Sequence, residues 1–513
     1  MYGRVFAVAV IGVQGHVVRV EAHVGRGLPT LALAGLPGTG VLDGRERVRP
    51  AVESAGLEWP LRRVVVNLSP ANIRKEGPGF DLPIAMGVLA ASAQVPPALL
   101  HSYAFAGELS LKGELVATPG ILSVAMAAAR AGLQGVVVPE RNGAEAALVE
   151  DLDVVAAPTL ASVVEFVRGQ ARPDPVAVPE TDPSAGVPEA TLDLADVRGQ
   201  DTARRALEIS AAGGHNLLMV GPPGAGKTML ARRLPTILPT MSRHEALEVT
   251  RLHSVAGLLP GGLVHARPFR SPHHSISASA LLGGGSGLLR PGEVSLAHHG
   301  VLFLDEATEF RRDAVEGLRQ PLEDGRVLVA RAAGTVEFPA RFMLVAASNP
   351  CPCGFQDDPR RACQCQPHRA LTYRQRLSGP LLDRIDLQLP IPRLTKSELL
   401  GSGTGEASAV VRARVEEARE RQRRRLAGTR WSSNGHVPGV VARRLASLTS
   451  AGERALADAV DLMALTGRGF DRTIKVARTI ADLAGRDAVD GSDIREALGY
   501  RALWLTEEVR AVG

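Results

Sequence analysis

Apolar residues in this chain fall into short blocks, and the spacing of the blocks sets out its elements. Leu217–Val220, Gly300–Leu304 and Phe342–Ala347 are almost wholly apolar runs ended by glycine or polar residues. That is how strands buried on both faces of a parallel sheet read. The residues from Thr228 to Leu234 read as a helix after the first of these strands. Near the N-terminus, RVFAVAVIGV, HVVRVEAHV and RRVVVNLSP alternate with period two and predict strands, and Ser123 to Ala131 is Ala-rich and helical. Val327 to Phe338 holds two short β runs around Ala333-Gly334, which predicts a hairpin. Past Pro392 the pattern becomes helical, with a dense charge run from Arg412 to Arg425. There Glu417 with Arg421 and Glu420 with Arg424 are i,i+4 pairs of the favourable orientation, so a solvated helix is expected.

The apolar blocks exclude a membrane span. Leu82 to Leu100 is broken by Pro83, Gln94, Pro96 and Pro97, and Val5 to Val13 runs on into an alternating strand with no small-residue cleavage site. A cytoplasmic protein is expected. Its 513 residues leave room for about three domains. Between Arg168 and Thr191 prolines and acidic residues replace large apolar ones, so the chain divides into an α/β module at 1–170, an extended linker at 171–190, a core at 191–392 and a helical lid at 393–513.

Chemistry enters between the strand Leu217–Val220 and its helix. Gly221-Pro222-Pro223-Gly224-Ala225-Gly226-Lys227-Thr228 fits the phosphate-loop pattern G-x-x-x-x-G-K-[ST] at every specified position. Glycines let backbone N–H groups converge on a phosphate chain, and the helix N-terminus adds positive potential. Lys227 would neutralise the β- and γ-phosphates of ATP, and Thr228 would hold Mg²⁺. The strand at 300–304 ends in Asp305-Glu306. Asp305 would hold the Mg²⁺ through water, and Glu306 would orient or deprotonate the attacking water. The third strand leads to Asn349, so three strands bring polar groups to one edge of a parallel sheet.

The four cysteines, Cys351, Cys353, Cys363 and Cys365, come directly after Asn349 in a C-x-C-x₉-C-x-C arrangement. In a reducing compartment such clustering favours a metal over disulfides, and four thiolates satisfy tetrahedral Zn²⁺. A reduced loop held by packing is the other reading. A net charge of +5 and a pI near 9.2, almost all of it from arginine, permit nucleic-acid contact. Arg326 and Arg331 give the hairpin positive charge suited to DNA phosphates, though edge arginines also protect a hairpin from aggregation. The glycine-rich insertion Leu281 to Pro291 ends near Arg290, and nothing assigns a metal to the pairs His273-His274 and His298-His299.

Two resemblances sharpen these expectations. The stretches RPFRSPHHSIS, GGGSGLLRPGEVSLAHHGVLFLDE, ASNPCPCG and SGPLLDRIDL resemble the ComM/YifB family of magnesium-chelatase-like AAA+ ATPases, over nearly the whole chain. The resemblance implies a homo-oligomeric, hexameric ring that hydrolyses ATP with Mg²⁺ and drives branch migration of single-stranded or branched DNA during recombination of incoming DNA. It implies that Asn349 is the sensor that positions water, that Arg384 is the finger reaching a neighbour's nucleotide, and that Arg472 is the lid sensor. Arg384 could equally pair with Asp383 or Asp386, and Arg468 rivals Arg472, which is expected to open a helix. A ring that remodels a protein partner, as chelatase-type ATPases do, is the alternative function.

The second resemblance is local. KEGPGFDLP at 75–83 and PGILSVAMAAARAGLQGVVVPERN resemble the proteolytic domain of Lon, which has the fold of ribosomal protein S5 domain 2. Gly79 and Val124 stand where that family has its serine and lysine, so serine–lysine proteolysis is not expected.

Overall fold

The computed structural model describes residues 1–176, 192–259, 261–285, 289–331, 334–356, 358, 360–400, 405–463 and 465–501. The N-terminal alternating runs pair with each other first. β1 (Tyr2–Ile11) and β2 (Gln14–Gly25) form an antiparallel hairpin with Ile11 opposite Gln14. β3 (Thr30–Ala34), β4 (Arg63–Ser69), β5 (Tyr103–Phe105), β6 (Gly135–Pro139) and β7 (Asp153–Ala157) complete a seven-stranded mixed sheet in the order β3-β4-β2-β1-β5-β6-β7. The helices α1 (Thr39–Ser54), α2 (Asp81–Ala91), α3 (Ile121–Arg130) and α4 (Leu160–Val167) accompany it. α2 is apolar all round and nearly every residue in it is buried, which explains why its run looks hydrophobic without being a membrane span. Among the described residues no helix is long and apolar enough to cross a membrane.

Most of the expected linker, residues 177–190, lies outside the described residues, as does residue 191. Beyond it, α5 (Asp201–Gly213) leads into β8 (Leu217–Val220), with α6 (Lys227–Ile237) and α7 (Arg243–Ala256) next along the chain. β9 (Phe269–Arg270), β10 (Val301–Leu304), β13 (Met343–Ser348) and β14 (Leu387–Pro390) join β8 in a parallel sheet ordered β9-β10-β13-β8-β14, while β11 (Arg326–Arg331) and β12 (Gly334–Pro339) form the expected hairpin. Every residue of β8, β10 and β13 is buried, as continuous apolar runs require when both faces are covered. Register places Val220 beside Ser348, and Leu304 beside Ala346. The strands therefore end together, and the loops at their C-terminal ends meet at one edge of the sheet.

The C-terminal part is helical: α8 (Ser408–Arg425), α9 (Gly439–Leu445), α10 (Ser450–Met463), α11 (Gly467–Leu483) and α12 (Gly491–Gly499). α8 buries Val411, Val415, Ala418 and Gln422, a stripe at helical spacing, and carries Glu420–Arg424 at 3.1 Å and Glu417–Arg421 at 3.9 Å on its wet side. Val415 and Ile474 share one apolar cluster with Leu207, Leu217 and Leu230, so lid and core bury a common interior. The expected position of Arg472 is corrected by the structure. Arg472 does not open a helix: α11 starts at Gly467, because the Thr466 hydroxyl caps it by accepting from the Gly469 N–H at 3.1 Å.

A polar seam ties the N-terminal unit to the core. The buried Glu145 carboxylate accepts from the Leu122 N–H at 2.7 Å, from Asn142 Nδ2 at 3.1 Å and from the Ser254 hydroxyl on α7. Burial raises its pKa, against the pull of those donors. Beside it, Arg251 Nη2 donates to the Val13 carbonyl, and Val13 packs in the same apolar cluster as Val336 and Phe338 of the hairpin. Removing the carboxylate strands several buried donors, each costing about 1–3 kcal/mol. Glu145→Ala is expected to lower the first thermal transition by several degrees while the exposed Glu150→Ala leaves it in place; calorimetry that finds both unchanged would show that the seam carries no stability.

Candidate nucleotide site

The edge where β8, β10 and β13 end gathers most of the expected site residues. The loop after β8 turns through left-handed glycines, Gly224 at φ +77° and Gly226 at φ +91°, positions where a side chain would be strained. The Gly221 N–H donates to the Ser348 carbonyl at 3.1 Å, and the Ala225 N–H to the Pro222 carbonyl at 3.3 Å, while Pro223 and Gly224 are exposed at the loop's crown. Lys227, the first residue of α6, turns its ammonium back into the loop. Its Nζ donates to the Gly221 carbonyl at 2.6 Å, the Pro222 carbonyl at 3.1 Å and Asn349 Oδ1 at 3.1 Å. Burial pushes its pKa down to about 8, with Asp305 and Glu306 pulling the other way.

One residue along α6, the Thr228 hydroxyl donates to Asp305 Oδ2 at 2.8 Å, and Asp305 Oδ1 accepts from the Glu306 N–H at 3.0 Å. This pair of oxygens would hold a divalent cation, which would supply positive charge against a phosphate. Glu306 stands in the left-handed region at φ +51° with its side chain about half exposed, facing open space rather than the core. Its nearest basic neighbour is His274, at 3.9 Å from Nδ1 to Oε2, on the loop that leaves the adjacent strand β9. The sequence alone gives His274 no role; only the pairing of β9 with β10 brings it here.

The two arginines lie apart from this cluster. Arg384 donates from Nη1 to the Pro380 carbonyl at 2.6 Å and from Nη2 to Glu323, so its partner is neither Asp383 nor Asp386. Arg472 donates to the Leu382 and Ile385 carbonyls at 3.4 and 3.3 Å and lies 3.7 Å from Asp386, while Arg468 is exposed and pairs with Asp383 at 3.3 Å. Burial would raise the pKa of Asp386, but His215, Arg472 and Lys475 hold it well below the usual carboxylate range. α11 thus grips the segment that carries Arg384.

The four cysteines converge beside Asn349. Cys351 Sγ lies 3.4 Å from Cys353 Sγ and 3.6 Å from Cys363 Sγ, and Cys353 to Cys363 is also 3.6 Å. The Cys353 N–H points at Cys365 Sγ and the Cys365 N–H at Cys363 Sγ, each at 3.4 Å. A zinc ion with bonds of about 2.3 Å has tetrahedron edges of about 3.8 Å, so the donor set fits it.

A second group, Glu248 with His298 and His299, brings ligand atoms within 4.8 Å of one another but does not fit a metal. The Arg341 N–H donates to His298 Nδ1 at 3.0 Å, which leaves the proton on Nε2, facing Glu248 at 3.6 Å, and no lone pair for an ion. Burial drives His298 down to about 4, and the two histidines hold Glu248 well below the usual range. The hairpin outcome is mixed: Arg326 pairs with Glu337 at 3.0 Å, and the Arg331 side chain lies outside the described residues.

Residues 193–399 match the magnesium chelatase subunit ChlI family, residues 20–142 the family of subunit ChlI of Mg-chelatase, and residues 405–501 the ChlI C-terminal family. Competence protein ComM of Haemophilus influenzae is 43% identical over 506 residues, 97% of each chain, and the uncharacterized protein YifB of Escherichia coli is 42% identical over 504 residues, 96% of each. The chain belongs to the ComM/YifB family of magnesium-chelatase-like AAA+ ATPases. An uncharacterized protein of Mycobacterium tuberculosis is 44% identical over 502 residues, 97% of this chain and 98% of its own. A Lon protease of Geobacter metallireducens is 26% identical over 215 residues, a weaker and partial likeness. Family membership implies ATP and Mg²⁺ as cofactors.

Lys227 must carry its charge to hold a phosphate chain, and its pKa near 8 in the free protein sets the pH window. Binding raises that pKa, so affinity is full below pH 8 and falls as pH rises through it. Titration calorimetry should find the Kd for Mg-ADP rising about tenfold from pH 7 to pH 9, with proton uptake near pH 8.5. A flat profile would place the Lys227 ammonium outside the phosphate site.

Proposed function

We propose that the chain is an ATP-hydrolysing ring motor that moves branched DNA; its Haemophilus relative is named a competence protein. The observation that supports the ATPase chemistry most is that two hydrogen-bonded pairs, Lys227 with Asn349 and Thr228 with Asp305, meet at adjacent residues of one helix start, with Glu306 open to a water beside them. In this reading Lys227 and the loop Gly221–Thr228 hold the phosphates, Thr228 and Asp305 hold Mg²⁺, Glu306 activates the attacking water and Asn349 orients it. Arg384 leaves Glu323 when a second subunit brings its γ-phosphate within reach, and Arg472 transmits lid position to that arginine through the Leu382 and Ile385 carbonyls.

The active form is a hexamer in the cytoplasm, and zinc closes the four-cysteine loop. The N-terminal unit serves as a contact domain rather than a protease: Gly79 offers no nucleophile, and Val124 is a buried apolar residue of α3. DNA is gripped by the β11–β12 hairpin through Arg331. Arg326 contributes less, because Glu337 already neutralises it.

The test is hydrolysis with and without DNA. Wild-type protein assembled with ATP and Mg²⁺ should hydrolyse faster with single-stranded or branched DNA. Arg331→Ala should keep its basal rate, lose that stimulation and show a shallower dependence of DNA affinity on salt. A wild-type rate indifferent to DNA would favour a ring that remodels a protein partner. Shared catalysis has its own readout: Arg384→Ala should bind ATP and hydrolyse it poorly, yet recover activity when mixed with Lys227→Ala subunits. An undiminished rate in Arg384→Ala alone would remove the finger.

A further inference from the structure

The four-cysteine loop touches the phosphate loop, and nothing in the nucleotide chemistry requires that it should. Gly354, next after Cys353, is buried and adopts φ +82° in a turn closed by its N–H on the Cys351 carbonyl at 2.9 Å. A Cβ placed on Gly354 would lie 2.5 Å from Pro223 Cδ, 2.8 Å from Pro223 Cγ and 3.9 Å from Asn349 Cγ. The backbone at Gly354 is therefore packed on the ring of Pro223, which otherwise stands exposed at the crown of the phosphate loop. The same cysteine loop is joined covalently to the site, since only Pro350 separates Cys351 from Asn349, the residue that accepts from Lys227.

The far end of the loop is anchored elsewhere. Phe355 has the Arg361 guanidinium 4.0 Å and the Arg393 guanidinium 5.4 Å from its ring centre, and Arg393 also pairs with the buried Asp358 at 3.0 Å. Arg393 lies just past β14, whose continuation donates from the Ile391 N–H to the Val220 carbonyl at 2.8 Å. The cysteine loop thus bridges the C-terminal ends of β13 and β14, the strands on either side of β8, with Pro223 beneath its first turn. That turn is closed by the sulfur cluster. Thiols at separations of 3.4 to 3.6 Å attract one another weakly, and as thiolates they repel, whereas a metal ion binds all four.

We propose that a zinc ion in the four-cysteine loop holds Gly354 against Pro223 and so keeps the phosphate loop in its nucleotide-accepting shape, making nucleotide affinity depend on metal occupancy. This rests on the zinc reading of the four cysteines. The metal has no part in hydrolysis; it acts as a strut, and its loss frees the turn that supports Pro223.

The test uses the full-length protein, elemental analysis for zinc, and a fluorescent ADP with Mg²⁺ as the probe. Protein as purified should contain one zinc per chain. Stripping it with a zinc-selective chelator that spares Mg²⁺ should raise the probe's Kd about tenfold or more, and adding back one equivalent of zinc should restore it, with circular dichroism confirming that the chain stays folded. Gly354→Ala should keep its zinc and still bind the probe several-fold more weakly, because the new methyl group displaces Pro223; this variant separates the contact from metal loss. Zinc-free protein as purified would overturn the zinc reading together with the proposal. Zinc-loaded protein that does not bind the probe would overturn the nucleotide site. Stripped, folded protein with unchanged probe affinity would overturn the strut alone.

Discussion

A buried lysine ammonium organises this molecule. Lys227 is nine-tenths buried, and it is stable there because two carbonyls of its own loop and the Asn349 amide oxygen surround it. Those acceptors exist only if β8 and β13 lie side by side in register, since the Gly221 N–H must also reach the Ser348 carbonyl. The parallel sheet is thus the condition for the charge, and the charge is the condition for holding a phosphate chain. The same register carries Asp305 to Thr228 from the neighbouring strand β10. An unpaired ammonium in that position would cost several kcal/mol, a cost that these three acceptors offset.

The elements around the candidate nucleotide site were legible because their signals are local. A four-residue apolar strand, a glycine-rich turn and a carboxylate pair each declare themselves within a few residues, and the structure moves their bounds by only one to three: α6 starts at Lys227 rather than Thr228 and runs to Ile237, and β13 starts at Met343 rather than Phe342. The parts that were not legible depend on distant partners. Nothing around residue 248 announces that His298 and His299 will close on it, and nothing in LLDRID says that Glu323 will take Arg384. The start of α11 was hidden by Gly467 and Gly469, poor helix formers that lie inside the helix because Thr466 caps it. Gly354 against Pro223 is likewise a contact across 131 positions that no motif encodes.

Several of these distant contacts converge on α7. Ser254 near its end meets Glu145 of the N-terminal unit, and Glu248 earlier in the helix holds the two histidines that lead into β10. β10 leads directly into Asp305 and Glu306. The N-terminal unit is therefore built onto α7, the helix that holds the histidines leading into β10, and its β1–β2 turn abuts the hairpin at Val336. This arrangement gives the N-terminal unit a physical route to the ATPase core, whichever partner it contacts.

In the proposed reaction Glu306 acts on the attacking water while Lys227, Thr228 and Asp305 hold Mg-ATP. Its most direct measurement is a single-turnover experiment with Glu306→Gln protein and radiolabelled ATP, ending in separation of the bound nucleotide. The account predicts that the variant retains Mg-ATP with near wild-type affinity and leaves it uncleaved, with the chemical step slowed a hundredfold or more on the scale of about 10²–10⁴ for a lost general base. Cleavage of the bound ATP at the wild-type rate would contradict it.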